Sequence, residues 1–305
     1  MQSSSTTSSS ISDFTSKYEH HLFNVRGLAR NTLALHRGVV QALFRFRFPG
    51  GVITWRDFHF NDCVGFLKQE FARLPNRETQ RVWLMVLRSV LRYLGDEGHI
   101  SKGWEAALPK ITSYRHASLP RRLSEEQLRD LWEACNGKAP RHLRYRVILL
   151  LCLRLGLRIG EVANLHLEDI DWQNGCLQIR GTKSHRDRIL PLPEDIGEAL
   201  VAHLRAGRRH PTRVFEPRHP PFTDKRIHRY VANSLRYLFY LAGITDRGLH
   251  SLRHTAATSM VNKGASFKEV ADVLGHKSIT TTLIYAKLDL KALLQVALPW
   301  PGGVQ

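Results

Sequence analysis

Leu249-His250-Ser251-Leu252-Arg253-His254-Thr255, then Leu274-Gly275-His276-Lys277-Ser278, then Ile284-Tyr285-Ala286, set three basic groups and a phenol at fixed separations. His250 and Arg253 are three residues apart, so on a helix they share a face. His276 reads as opening a second element, and Tyr285 follows nine residues later, beyond Thr280-Thr281-Thr282. A phenol is a poor nucleophile at neutral pH, because its pKa is about 10. It becomes useful when cations surround the group it attacks and the charge that develops. Arginine and histidine do this for a phosphodiester, whose charge sits on non-bridging oxygens.

Upstream of this block, Leu123-Ser124-Glu125-Glu126-Gln127 opens a domain, with Ser124 and Gln127 spaced as a capping box. A largely buried helix is predicted over Arg141 to Leu155. Gly156-Leu157-Arg158-Ile159-Gly160-Glu161-Val162 then places Arg158 at a tight turn before a new helix. Its neighbours are core residues, and an unpaired buried guanidinium is costly. Arg158 therefore needs a partner, either Glu161 or a ligand anion. Cys176 to Arg180 and Ile189 to Leu192 alternate as a β-hairpin, with Lys183 near its tip. Residues 205–230 read as a basic, Pro-rich loop, and Ile227 to Leu241 as an amphipathic helix. Leu288, Leu290, Leu293, Leu294 and Val296 form an apolar tail.

Toward the N-terminus the pattern is helical from Ile11 to about Leu108. Phe14, Tyr18, Leu22 and Val25 make one stripe. A second helix, capped by Asn31 or Thr32, carries Leu33, Val40, Leu43 and Phe44. A third starts at Thr54 or Asp57, and a fourth runs from Thr79 to Leu94. The expected organisation is a disordered tail over 1–10, a helical domain over 11–108 and a basic linker over 109–122. A second domain over 123–287 and a tail over 288–305 complete it.

Charge narrows the partner. The 305 residues carry 45 Lys+Arg against 27 Asp+Glu, a formal net charge of +18. Both parts share it, with 16 against 9 in residues 1–116 and 29 against 18 in residues 117–305. Two basic surfaces suit a polyanion, with DNA the best fit, held through counterion release. Cys63, Cys135, Cys152 and Cys176 lie far apart, without metal-ligand or redox spacing. A reducing compartment, no metal and no other cofactor are expected. The longest apolar run, Val147 to Leu153, is too short for a bilayer, so a soluble cytoplasmic protein without membrane contact is expected.

The candidate set is Arg158, Lys183, His250, Arg253 and His276, with Tyr285 as the phenol. Singly, His250 reads as well as a core histidine, and Tyr285 as an ordinary half-buried tyrosine. Their order and company carry the reading. No Walker A loop, HExxH or carboxylate cluster of a metal nuclease is visible. The chemistry they suit is phosphoryl transfer without metal or ATP. The arginines would neutralise non-bridging oxygens and Lys183 would protonate the departing sugar oxygen.

These motifs resemble the tyrosine recombinase (phage integrase) family of site-specific DNA recombinases, over about Leu123 to Tyr285. The helical N-terminal part resembles its core-binding domain more weakly. The resemblance implies a mainly α protein. A SAM-like helical core-binding domain would precede a mixed α/β, mostly helical catalytic domain with a small β-hairpin sheet. It implies Arg158 and Arg253 as paired phosphate-binding arginines, Lys183 as general acid and His250 and His276 as pocket histidines. Tyr285 would be the nucleophile, and Glu161 the acid that holds the first arginine. A C-shaped clamp on double-stranded DNA, a 3′-phosphotyrosyl intermediate and a tetramer at synapsis follow from the same resemblance. The outcome would be integration, excision or resolution of a DNA element, with room for accessory DNA-bending proteins. The protein would associate with the nucleoid through DNA. The tail after Tyr285 would pack in cis or on a neighbouring protomer. The short segment before Ile11 predicts no separate arm-site reader. The alternatives are a type IB topoisomerase-like enzyme and a non-catalytic DNA-binding protein.

Overall fold

The computed structural model describes residues 8–74, 76–111, 122–181, 187–207, 211–217, 219–276 and 282. The chain divides into two compact units, Met1–Arg115 and His116–Gln305. Among the described residues, no helix is long and apolar enough to cross a membrane.

The first unit is built on four long helices. Helix α1 spans Ile11–Asn24, and the Ser10 side chain caps it by accepting from the Asp13 N–H at 3.0 Å. Phe14, Tyr18 and Leu22 are buried as their spacing predicts, but Val25 lies past the helix end and is exposed. Helix α2 (Arg30–Arg47) begins one residue before the expected caps. Ala29 holds its N-cap position, with no side-chain bond. Helices α3 (Phe60–Arg73) and α4 (Arg77–Asp96) follow, then the short α5 (Trp104–Ala107), which the pattern did not reveal. A 3-10 turn at Trp55–Asp57 occupies the place expected to begin α3. Leu84, Leu87, Leu91 and Leu94 of α4 are fully buried, each contributing about 1.5–3 kcal/mol.

Residues 8–10 correct one expectation. Ser8–Ser10 is a strand, β1, paired antiparallel with β2 (Val52–Thr54) in the register Ser9↔Ile53. Serines carry no period-two apolar signal, so the pairing rests on backbone hydrogen bonds and is not legible in side chains. Residues 1–7, and 112–121 of the proposed linker, lie outside the described residues.

The second unit surrounds helix α7 (Pro140–Arg154). Val147 to Cys152 are all buried, as in a helix apolar on every face. Helix α6 (Glu125–Ala134) starts with both halves of the Ser124–Gln127 capping box in place. Helix α8 (Ile159–Ala163) is followed by a three-stranded antiparallel sheet in the order β3-β4-β5. Its strands are Ile170–Asp171, Cys176–Ile179 and Arg188–Pro191. The expected hairpin is β4-β5, with Leu177 facing Leu190 and Ile179 facing Arg188. Helices α9 (Glu194–Arg205), α10 (Asp224–Leu241), α11 (His250–Asn262) and α12 (Phe267–Leu274) complete the unit. Helix α10 takes its cap from Thr223, so the basic loop ends earlier than its composition suggested. The fold is mainly helical with small antiparallel sheets.

Candidate active site

The site assembles around the C-terminus of α12. The last carbonyls of a helix have no intrahelical donor and carry the negative end of its dipole. Three arginines from separate segments supply donors. Arg253, in the first turn of α11, donates through Nη2 to the Leu274 carbonyl and through Nη1 to the Gly156 carbonyl, each at 2.6 Å. Arg158, the N-cap residue of α8, donates through Nη1 to Leu274 O at 3.3 Å and through Nη2 to Gly275 O at 3.5 Å. Arg188, first residue of β5, donates through Nε to Val273 O at 2.7 Å.

Two glycines make this convergence possible. Gly156 has φ +63°, and a Cβ there would run into Leu274 Cδ2. Gly275 ends α12 with φ +63°, and a Cβ there would stand 2.9 Å from Arg188 Nη1. Each position requires the left-handed backbone and the missing side chain together.

Glu161 is the counter-charge, with a residue exposure of 4%. It accepts from the Arg158 backbone N–H at 2.9 Å and from Arg158 Nη1 at 2.8 Å. It also accepts from Arg188 Nη1 at 3.2 Å and Nη2 at 3.0 Å. Burial pushes its carboxyl up. Hydrogen bonds and charge from Arg188, then Arg158, outweigh burial and hold it below the usual carboxylate range. Of the two partners left open for Arg158, Glu161 is engaged.

His276 lies just beyond α12, and its N–H caps back to the Ala271 carbonyl at 2.9 Å; the element it was expected to open lies outside the described residues. Its Nδ1 is 2.7 Å from the Thr282 hydroxyl, which is fully buried. Burial first, then the charges of Arg253, Arg158 and Arg188, push its pKa down to about 4. The imidazole is therefore neutral near pH 7, with one N–H and one lone pair. His250, at the start of α11, lines a cleft of about 670 Å³ together with Arg158, Arg236 and Arg247. His254 is partly buried, and burial, His250 and Arg253 lower its pKa.

Arg158, Arg253 and His276 thus come together around one helix end, and His250 shares a cleft wall with Arg158. Lys183 and Tyr285 lie outside the described residues, as does the tail over 288–305. Sequence reasoning passed over Arg188 and Thr282. Arg188 carried a signal: by strand alternation it shares the face of buried Leu190, where a cation demands a partner. Thr282 sits in a run of three threonines, and nothing local distinguishes it.

Comparison with known proteins bears on the family and the fold. Residues 121–291 match the model of the phage integrase family. A Sinorhizobium fredii protein named as an integrase/recombinase, y4rA, is 35% identical over 97% of this chain and 73% of its own. The tyrosine recombinase XerC of Thermodesulfovibrio yellowstonii is 30% identical over 76% of this chain and 78% of its own. The fold is similar to XerH recombinase bound to a palindromic difH substrate, with TM-score 0.69 and 20% identity, over 92% of this chain and 83% of that one. It is also similar to lambda integrase in a tetramer on a Holliday junction, with TM-score 0.67 and 20% identity, over 91% and 77% of the two chains. With the family model matching more than half of its length, and a 35% identical relative aligned along nearly all of it, this chain belongs to the phage integrase family of tyrosine recombinases.

Proposed function

We propose that this chain cuts and rejoins duplex DNA at specific sites through a covalent 3′-phosphotyrosyl intermediate on Tyr285. The observation that carries the reading is the convergence of Arg158, Arg253 and His276 on the end of α12, beside a cleft that Arg158 shares with His250. Two guanidiniums held by carbonyls and by Glu161 are oriented before substrate arrives, so little reorganisation is needed when charge develops.

The Tyr285 oxygen attacks the scissile phosphorus. A bond from phenolic oxygen to phosphorus forms, and the bond from phosphorus to the 5′ oxygen breaks. Arg158 and Arg253 neutralise the non-bridging oxygens of the pentacovalent state. Lys183 gives its proton to the departing 5′ oxygen. Neutral His276 takes the phenol's proton, with its ring fixed by Thr282. His250 supplies a further donor from the cleft wall. Rejoining runs the same steps backward from a new 5′ hydroxyl, so the energy of the broken bond is kept in the phosphotyrosine and no ATP is consumed.

The first unit serves as the core-binding domain, which its excess of 16 Lys+Arg over 9 Asp+Glu across residues 1–116 supports. Strand exchange takes place in a tetramer, by analogy with the lambda integrase assembly on a Holliday junction. The test is a nicked suicide duplex carrying the recognised site. Wild type forms a denaturant-resistant protein–DNA adduct, and Tyr285→Phe binds the same duplex but forms none. Wild type without an adduct would sink the recombinase reading. Relaxation of plasmids lacking the site, without exchange between two sites, would favour a type IB topoisomerase.

A further inference from the structure

Two guanidiniums, those of Arg158 and Arg188, engage one carboxylate, Glu161. They do not share it equally. Arg188 engages both oxygens with its fork, Nη1 to Oε1 and Nη2 to Oε2. Arg158 reaches Oε1 with one guanidinium nitrogen and touches Oε2 only through its backbone N–H. The Arg188 side chain is 9% exposed and that of Arg158 is 28% exposed. The more deeply buried cation therefore holds the carboxylate by two prongs, and the more exposed one is only steered by it. Were Glu161 paired with Arg158 alone, its charge would cancel the charge that a phosphate must meet.

We propose that Arg188 is a positioning residue that neutralises Glu161, so that Glu161 aligns Arg158 without cancelling its charge at the scissile phosphate. Gly275 belongs to the same device, because its missing Cβ lets the Arg188 guanidinium lie against the end of α12. The inference rests on reading Arg158 as a phosphate-binding arginine.

A duplex site is selected from random sequence with the Tyr285→Phe protein, and the scissile position is mapped from the wild-type adduct. Suicide duplexes are then made with a phosphodiester or an uncharged methylphosphonate at that position. Arg188→Met keeps the stem and removes the charge. It should cleave the phosphodiester about ten- to hundredfold more slowly than wild type, by analogy with residues that orient a metal's ligands, with affinity within about threefold. On the methylphosphonate, which carries no anion to neutralise, the gap should shrink to about threefold or less. An equal loss on both substrates, or no loss on the phosphodiester, would overturn the proposal. If Arg188→Met does not fold, Arg188→Lys keeps a point charge without the fork. It should lose less rate but show the same preference, and an equal loss on both substrates overturns the proposal there too. Arg158→Ala tests the underlying reading, since it should also be rescued by the methylphosphonate. Without that rescue both claims fall; with it, and no rescue of Arg188→Met, only the Arg188 claim falls.

Discussion

Glu161→Gln is the sharpest probe of how the site is held together. The side chain is 2% exposed and accepts four hydrogen bonds, two from Arg158 and two from Arg188. Glutamine keeps the volume but removes the charge. It also turns one acceptor oxygen into an NH₂ group that faces guanidinium or backbone donors. Removing one partner of a buried ion pair costs about 3–5 kcal/mol, because the remaining charge stays uncompensated. Arg158 is partly exposed and can turn toward water, so the lower end, about 3 kcal/mol, applies. Set against a total stability of about 5–15 kcal/mol, this is a large fraction. With a urea dependence of about 2–3 kcal/mol per molar, the unfolding midpoint should drop by about 1 M. Far-UV circular dichroism in a urea titration at pH 7 reads it directly. Glu161→Gln combined with Arg188→Met removes the orphaned cation and should recover about 1 kcal/mol or more relative to the sum of the singles. A single-variant loss under about 1 kcal/mol, or strict additivity in the double variant, would refute the buried-pair account.

Two further outcomes are expected. Lys183→Ala should bind DNA normally but cleave slowly, and a 5′-thio leaving group, which needs no protonation, should restore its rate; failure to restore it would remove the general-acid role. Acidification should destabilise the second unit through His276 and His203, both pushed down to about 4 from an ordinary 6.5, with burial the main cause. Above pH 6.5 these histidines are neutral folded or unfolded and contribute no pH dependence. As pH falls from there toward 4 the unfolded chain binds two protons that the folded chain refuses, so stability falls. His276→Gln or His203→Gln should each flatten that slope by about 1.4 kcal/mol per pH unit in urea titrations between pH 6.5 and 4.5, and unchanged slopes would contradict the shifts.

The sequence by itself determined what depends on neighbours along the chain. The stripe of α4, the Ser124 capping box, the β4-β5 hairpin and Arg158 just ahead of a helix all follow from periodicity and turn chemistry. The motif order around Arg158, Lys183, His250, Arg253, His276 and Tyr285 was enough to indicate the family, and for Lys183 and Tyr285 the proposed roles rest on the sequence alone. Tertiary structure decided the rest. The β1 serines pair through backbone alone, and the His276 N–H caps back onto the end of α12. The partnership of Arg158, Arg188 and Arg253 at residues 273–275 joins groups as far as 117 positions apart. Such contacts leave no local pattern. A buried cation announces that it needs a partner, because leaving it unpaired is too costly, but only the folded chain supplies which one.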